Sequence, residues 1–167
     1  MIMVRGDFDI LPISDKERIS ASAGIVRKSF KTVALDLRLT RQNCPTHPSF
    51  ITNVLLFALY EKGLMFFGGF LNAKQIGFVA VERADPLLYY LEKIAVLPAD
   101  RHHGYGRKLV EFVIKYVRAY GGKKISIGTV DEQTVLKDWY KNIGFKEVST
   151  KKFAHLPFTV CYMEINL

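Results

Sequence analysis

The segment from Leu87 to Tyr120 constrains the fold more than any other part of the chain. It opens on a largely apolar run, Leu87 to Leu97, that Pro98 stops. It then passes through Arg101-His102-His103-Gly104-Tyr105-Gly106. Beyond these, Leu109, Phe112, Val113, Tyr116, Val117 and Tyr120 recur at helical spacing, and Gly121-Gly122 ends the pattern. A switch from a strand-like run to a period of 3.6 across a few glycine-bearing residues reads as a strand-to-helix corner. At such a corner the first helical N–H groups lack partners and the positive end of the helix dipole favours an anion. Glycines let the backbone approach a phosphate closely, consecutive N–H groups form a nest, and Arg101 and Arg107 add charge. The same residues would also serve as a plain glycine-rich corner. With 12 glycines in 167 residues, roughly one Gly-x-Gly triplet arises by chance, so only its context lends it meaning.

The flanking pattern supplies that context. Asp7 to Ile13 reads as a strand, and Ser14 with Glu17 forms a capping box for a helix through Ile19, Ala23, Val26, Phe30, Ala34 and Leu37. After a polar loop, Pro48 suits the first turn of a second helix running to about Glu61. Leu64 to Leu71 and Gln75 to Glu82 form a hairpin around Asn72-Ala73-Lys74. Past the central corner come a strand from Lys124 to Val130, a helix from Gln133 to Asn142, a strand from Phe145 and a closing strand from Phe158 to Leu167. No repeat or linker interrupts the series, so residues 1–167 read as one α+β domain around a mixed sheet.

Composition removes several alternatives. The longest strictly apolar stretch, Val54 to Tyr60, is far short of the roughly 20 residues a membrane span needs. Arg5, Asp7 and Asp9 stand where a signal peptide would carry its apolar region. Cys44 and Cys161 are far apart and read as reduced thiols, which points to a cytoplasmic protein. Neither His47, the pair His102-His103 nor His155 has a partner at metal-binding helical spacing, so no metal is expected. Phosphate-loop, nucleophile-elbow and dinucleotide fingerprints all fail, the last because Leu109 stands where its third glycine belongs. A net charge of +8 suits an anionic partner or simple solubility. No spaced aromatic and basic strand or helix-turn-helix supports nucleic acid, and no membrane partner is expected.

The stretch Leu91-Glu-Lys-Ile-Ala-Val96-Leu-Pro-Ala-Asp-Arg101-His-His-Gly104-Tyr-Gly106-Arg-Lys-Leu109 resembles the central motif of the GNAT superfamily of acyl-CoA N-acyltransferases. Trp139-Tyr140-Lys-Asn-Ile-Gly144-Phe145 is similar to the family's aromatic-Tyr-x-x-x-Gly-Phe segment, in the expected order and distance. The resemblance implies a three-layer domain: a mixed, mostly antiparallel sheet of six or seven strands with helices on both faces. It implies acetyl-CoA as cosubstrate, its pyrophosphate on the turn formed by Arg101, His102, His103, Gly104, Tyr105 and Gly106, with Arg107 following. The pantetheine arm would pair with the backbone of Ile94, Ala95 and Val96 where that strand splays from its neighbour, and Tyr140 would lie near the thioester sulfur. Many members carry an Asn seven residues before that tyrosine. This chain has Gln133, which leaves that contact in doubt but keeps an amide there.

Amine attack on a thioester needs a proton removed, because an amine of pKa ~10.4 is almost wholly protonated at neutral pH. Glu92, two residues before Ile94 and so expected on the same side of the strand, is the candidate general base. It could instead pair with a nearby Lys or Arg and hold the sheet. Tyr140 is the candidate general acid for the departing thiolate, or a core residue beside Trp139 and Phe145. The reading is direct transfer to a small-molecule or peptide amine; the alternative is a non-catalytic acyl-CoA sensor or a basic nucleic-acid-associated module. Arg41, Asn43, Thr46 and His47 are loop candidates for the acceptor pocket. With acidic residues sparse nearby, a neutral or anionic amine such as an amino acid or peptide N-terminus fits better than a polyamine. An exposed apolar run, Phe66 to Phe70, and the closing strand leave a homodimer open.

Overall fold

A computed structural model describes residues 6–167; Arg5, used above against a signal peptide, lies outside the described residues. Seven strands form one sheet in the order β1-β2-β3-β4-β5-β7-β6. They are β1 Phe8–Ile13, β2 Met65–Leu71, β3 Lys74–Arg83, β4 Leu88–Val96, β5 Lys124–Val130, β6 Lys146–Lys152 and β7 Thr159–Asn166. Every neighbouring pair is antiparallel except β4 with β5. The helices are α1 Lys16–Asp36, α2 Asn53–Glu61, α3 Tyr105–Ala119 and α4 Thr134–Ile143. Among the described residues no helix is long and apolar enough to cross a membrane.

Alternation along the central strands divides the core in two. Val79, Val81, Tyr89, Leu91 and Ile125 pack against Leu109, Val113 and Val117 of α3 and Tyr140 of α4. The residues between them, Phe78 and Ala80, pack with Phe66 against Ile19, Ala23 and Val26 of α1 and Leu56 of α2. Helices therefore cover both faces, giving the three layers. Phe66 and Phe78 meet edge to face at 5.0 Å, a favoured aromatic geometry.

Local chemistry moves some boundaries. Asp15, not Ser14, caps α1, its carboxylate accepting the Arg18 N–H at 2.9 Å. Strand β1 runs through Ile13, which leaves the connection too short for a cap one residue earlier. The helix expected from Pro48 to Glu61 is broken. Pro48–Phe50 is a 3-10 turn, Ile51 and Thr52 are extended, and the Thr52 hydroxyl caps α2 through the Leu55 N–H at 3.1 Å. Ile51 is buried, and its carbonyl accepts Arg27 Nη1 of α1 at 3.0 Å, which fixes the break.

The run Phe66 to Phe70 is not the exposed patch expected from sequence. Phe66 and Phe67 are 2% and 7% exposed, because β2 is interior with a helix layer on each face. The closing strand β7 is interior too, and β6 takes the edge.

Replacing Phe78 by Ala removes a wholly buried ring and is expected to cost about 3–5 kcal/mol. Urea unfolding of the two proteins measures that difference.

Candidate active site

Strands β4 and β5 pair only at Leu88 with Lys124, Tyr89 with Ile125 and Tyr90 with Ser126. Beyond Tyr90 they diverge, and from Leu91 to Val96 the β5-side edge of β4 has no strand partner. Backbone groups on that edge are free to bond an extended ligand. The gap opens into a cleft of about 1350 Å³ bounded by α1, β4, β5, α4 and the turn into α3.

A bulge shapes β4 within this cleft. Phe78 faces Ala95 and Ala80 faces Glu92, so three steps on β4 match two on β3. Lys93 absorbs the extra residue at φ 52, as bulges do. The bulge reverses which side each later residue takes. Ile94 and Val96 join Leu91 and Tyr89 on the α3–α4 side, whereas Ala95 lies with Ala80 on the α1–α2 side. Glu92, opposite Ala80, is on the α1 side as well. The expectation that Glu92 and Ile94 share a side is thus corrected, because strict alternation fails at Lys93. Glu92 lines the cleft with its side chain 32% exposed, and Lys93 Nζ stands 3.4 Å from its Oε2.

The turn into α3 has the expected anion geometry. Gly104 caps the helix at φ 83 without a side-chain capping bond, and His102 is also left-handed at φ 64. Among the described residues, no backbone N–H of residues 102–107 donates to a protein acceptor. Gly104 serves its conformation, since a Cβ added there would meet nothing within 4 Å. Gly106 serves approach, since a Cβ would meet the Trp139 ring at 3.3 Å. Tyr105 stacks with Phe8 (4.6 Å) and His103 (6.0 Å).

Arg101 departs from its expected role as free charge. Its guanidinium turns inward, with Nε donating to the Val96 carbonyl at 3.2 Å, Nη1 to Thr32 Oγ1 at 3.0 Å and Nη2 to the Ser29 carbonyl at 2.5 Å. It ties the end of β4 to α1. Arg107 is paired with Glu111 at 2.9 Å on the surface of α3. The turn therefore offers an anion mostly backbone N–H groups.

Tyr140 lies on the α3–α4 side, the face of the sheet opposite to that of Glu92. It is 5% exposed, and burial raises its phenol above the ordinary tyrosine range. Among the described residues its hydroxyl has no protein partner, and the residue lines the cleft. Gln133 precedes α4 as its N-cap residue without a capping bond and also lines the cleft.

An ion-pair cluster holds α4 in place. Lys137 donates to Asp131 Oδ1 at 2.7 Å and Glu147 Oε1 at 2.9 Å, and Lys141 stands 2.9 Å from Glu147 Oε2. Asp131, Glu147 and Cys161 bring their ligand-type atoms within 4.8 Å of one another, but the Lys137 ammonium already sits on both carboxylates. Hydrogen bonds from Lys137, then Lys141, then the Cys161 thiol hold the Glu147 carboxyl down at about 2. Burial, then the bond to Glu147, pushes the Cys161 thiol up to about 11.

Of the four loop residues expected to line an acceptor pocket, only His47 reaches the cleft. Arg41 stacks over Phe50 at 5.2 Å, Asn43 bonds the Thr40 N–H and the Arg38 carbonyl, and Thr46 is exposed. Ser29 and Thr32, which anchor Arg101, carry no signal in the sequence, being ordinary polar positions of an amphipathic helix.

A model of the acetyltransferase (GNAT) family matches residues 34–145. The chain belongs to that family. The family is one of acetyltransferases, and acetyl transfer is the activity of this protein. Among solved structures, the PaiA N-acetyltransferase of Thermoplasma acidophilum, in complex with coenzyme A, superposes with a TM-score of 0.77 at 17% identity. That match covers 96% of this chain and 99% of that one. The ribosomal-protein-S18-alanine N-acetyltransferase of Escherichia coli gives a TM-score of 0.77 at 15% identity, covering 96% and 94%. A GNAT acetyltransferase of Elizabethkingia anophelis with acetyl-CoA bound gives 0.68 at 17%, covering 96% and 98%. At these identities the likeness establishes the fold. No curated protein matches by sequence.

The Glu147 pair carries a pH signature. Its folded value of about 2 lies below the ordinary 4.5, so the folded state favours the ionised form. That contribution is complete above pH 4.5 and is lost as pH falls towards about 2. Lys137→Met should flatten the fall in stability across this window, read by urea unfolding at stepped pH.

Proposed function

We propose that the protein is an N-acetyltransferase that moves the acetyl group of acetyl-CoA to a primary amine by direct attack in a ternary complex. The observation that carries this reading is the gap between β4 and β5, with Glu92 on its α1 side and Tyr140 on its α4 side. Donor and acceptor then enter from opposite faces of the sheet and meet where the strands part.

Each component has a physical role on this reading. The pyrophosphate rests on the open N–H groups of residues 102–107, at the positive end of the α3 dipole. The pantetheine arm lies along the unpaired edge of β4 at Ile94, Ala95 and Val96 and replaces the missing strand. Gln133 and the turn residues Arg101, His102, His103, Gly104, Tyr105, Gly106 and Arg107 frame its path, Arg101 by bracing the turn against α1. On this reading the Val96 N–H polarises the thioester carbonyl, as an oxyanion donor does.

Glu92 meets the incoming ammonium on the acceptor side and takes its proton directly or through water. The freed amine attacks the thioester carbon, the tetrahedral intermediate collapses, and the carbon–sulfur bond breaks. Tyr140, kept neutral by burial, gives its proton to the departing thiolate, and the second proton, shed by the nitrogen of the new amide, passes through water to restore the phenol.

Free coenzyme A thiol should appear when acetyl-CoA is mixed with the right amine. Glu92→Gln should lower kcat by about 10²-fold or more while the Kd for coenzyme A hardly moves. An unaltered pH–rate profile in that variant would remove Glu92 as the base. Tyr140→Phe should slow thiol release at saturating amine; full activity would show that water or another group protonates the sulfur.

A further inference from the structure

The cleft contains one buried titratable side chain that acetyl transfer, as described, does not use. His47 stands at the N-terminal end of the 3-10 turn between α1 and α2 and is 7% exposed. Phe30 and Phe50 hold its ring edge-on at 5.8 Å and 6.3 Å. Its Nδ1 accepts the Ser49 backbone N–H at 3.3 Å and lies 2.7 Å from the Ser49 hydroxyl.

These contacts decide where the proton is. A backbone N–H only donates, so Nδ1 is the acceptor, and a neutral ring must then carry its proton on Nε2. Burial lowers the pKa of His47 below the usual histidine value, which keeps the ring neutral at physiological pH. Among the described residues Nε2 has no protein partner, and it is not among the buried unpartnered atoms, so it keeps some exposure in a residue that lines the cleft. A second polar group lines the same wall. Ser29 Oγ of α1 is buried without any partner, in a residue only 3% exposed. An unpaired buried hydroxyl is an unfavourable arrangement unless a ligand completes it.

We propose that His47 is a specificity-determining residue for the acceptor: it donates Nε2–H to a carbonyl-type oxygen carried by the incoming amine. The substrate class is then an amine bearing a nearby amide or carboxylate oxygen, such as an amino acid or peptide N-terminus, and not a plain alkylamine or polyamine. The proposal rests on the acetyl-transfer reading for which molecule enters, but its binding contact is separable from turnover. His47 lies in the α1–α2 loop and packs on Phe30 of α1, the helix layer on the same side of the sheet as Glu92. The basic character of the chain is compatible with either oxygen, and a neutral donor serves both.

The test uses the full chain, saturating coenzyme A as an unreactive donor mimic, and three probes: L-alaninamide, L-alanine and isopropylamine. The last has the carbon skeleton around the amine but no carbonyl oxygen. Nitrogen-15 spectra of the histidine side chains should show His47 protonated at Nε2 at neutral pH. That signal should shift on titration with alaninamide or alanine, and the larger response of the two names the oxygen, amide or carboxylate. Isopropylamine should leave it in place. With acetyl-CoA, the ratio of kcat/KM for the preferred probe over isopropylamine should fall about threefold to tenfold in His47→Phe, mainly through KM. His47→Gln, which restores an N–H donor, should recover part of the ratio. A proton found on Nδ1, no response to either oxygen-bearing probe, or an unchanged ratio in a folded His47→Phe would overturn the proposal. A specific shift without thiol release from wild type would instead sustain the contact and overturn the transfer reading.

Discussion

The site depends on an interaction that is missing. Strands β4 and β5 bond at three positions and then part, leaving a row of main-chain groups without a strand partner, of which the Val96 carbonyl is met by Arg101. Unpaired main-chain groups are costly when buried, so they persist here only because the gap is an open cleft. The bulge at Lys93 and the Arg101 anchor keep it so. Lys93 turns the strand as it leaves β5, and Arg101 fastens the end of β4 to α1. Together they keep the opening without the stabilising contacts of a continuous sheet.

The two faces of this opening are built by different means. On the α3–α4 side, apolar packing of Leu109, Val113 and Tyr140 positions the helices, and the Lys137 cluster fixes α4 at its outer end. On the α1 side the wall is polar and partly made of a loop, with Ser29, Thr32, Glu92 and His47 reaching the cleft. On the proposed reading the donor lies on the packed side, and acceptor preference falls to side chains that loop changes alter cheaply.

Much of this was legible in the sequence. The period change at Leu97 to Leu109 located the turn, and helix α3 follows from its apolar stripe to within a residue of each end. The motif around Tyr140 placed α4 as well. Three features were not legible. Alternation along β4 predicted one side for Glu92 and Ile94, and nothing in Leu91-Glu-Lys-Ile announces a bulge, since Lys is an unusual residue at positive φ. Arg101 read as free charge because its partners lie on α1, about seventy residues earlier, beyond the reach of any local pattern. His47 could not be separated from Arg41, Asn43 and Thr46, because burial of a loop residue is decided by tertiary packing against Phe30.

The bulge in β4 also acts like a reading frame. One residue added to or removed from that strand would send every later side chain through the sheet to the opposite layer. Ala95 would then leave the α1–α2 layer, and the backbone at the end of β4 would rotate away from the cleft. Substitutions along β4 can accumulate one at a time, but changes in its length cannot, so evolution of this strand is confined to swaps in place.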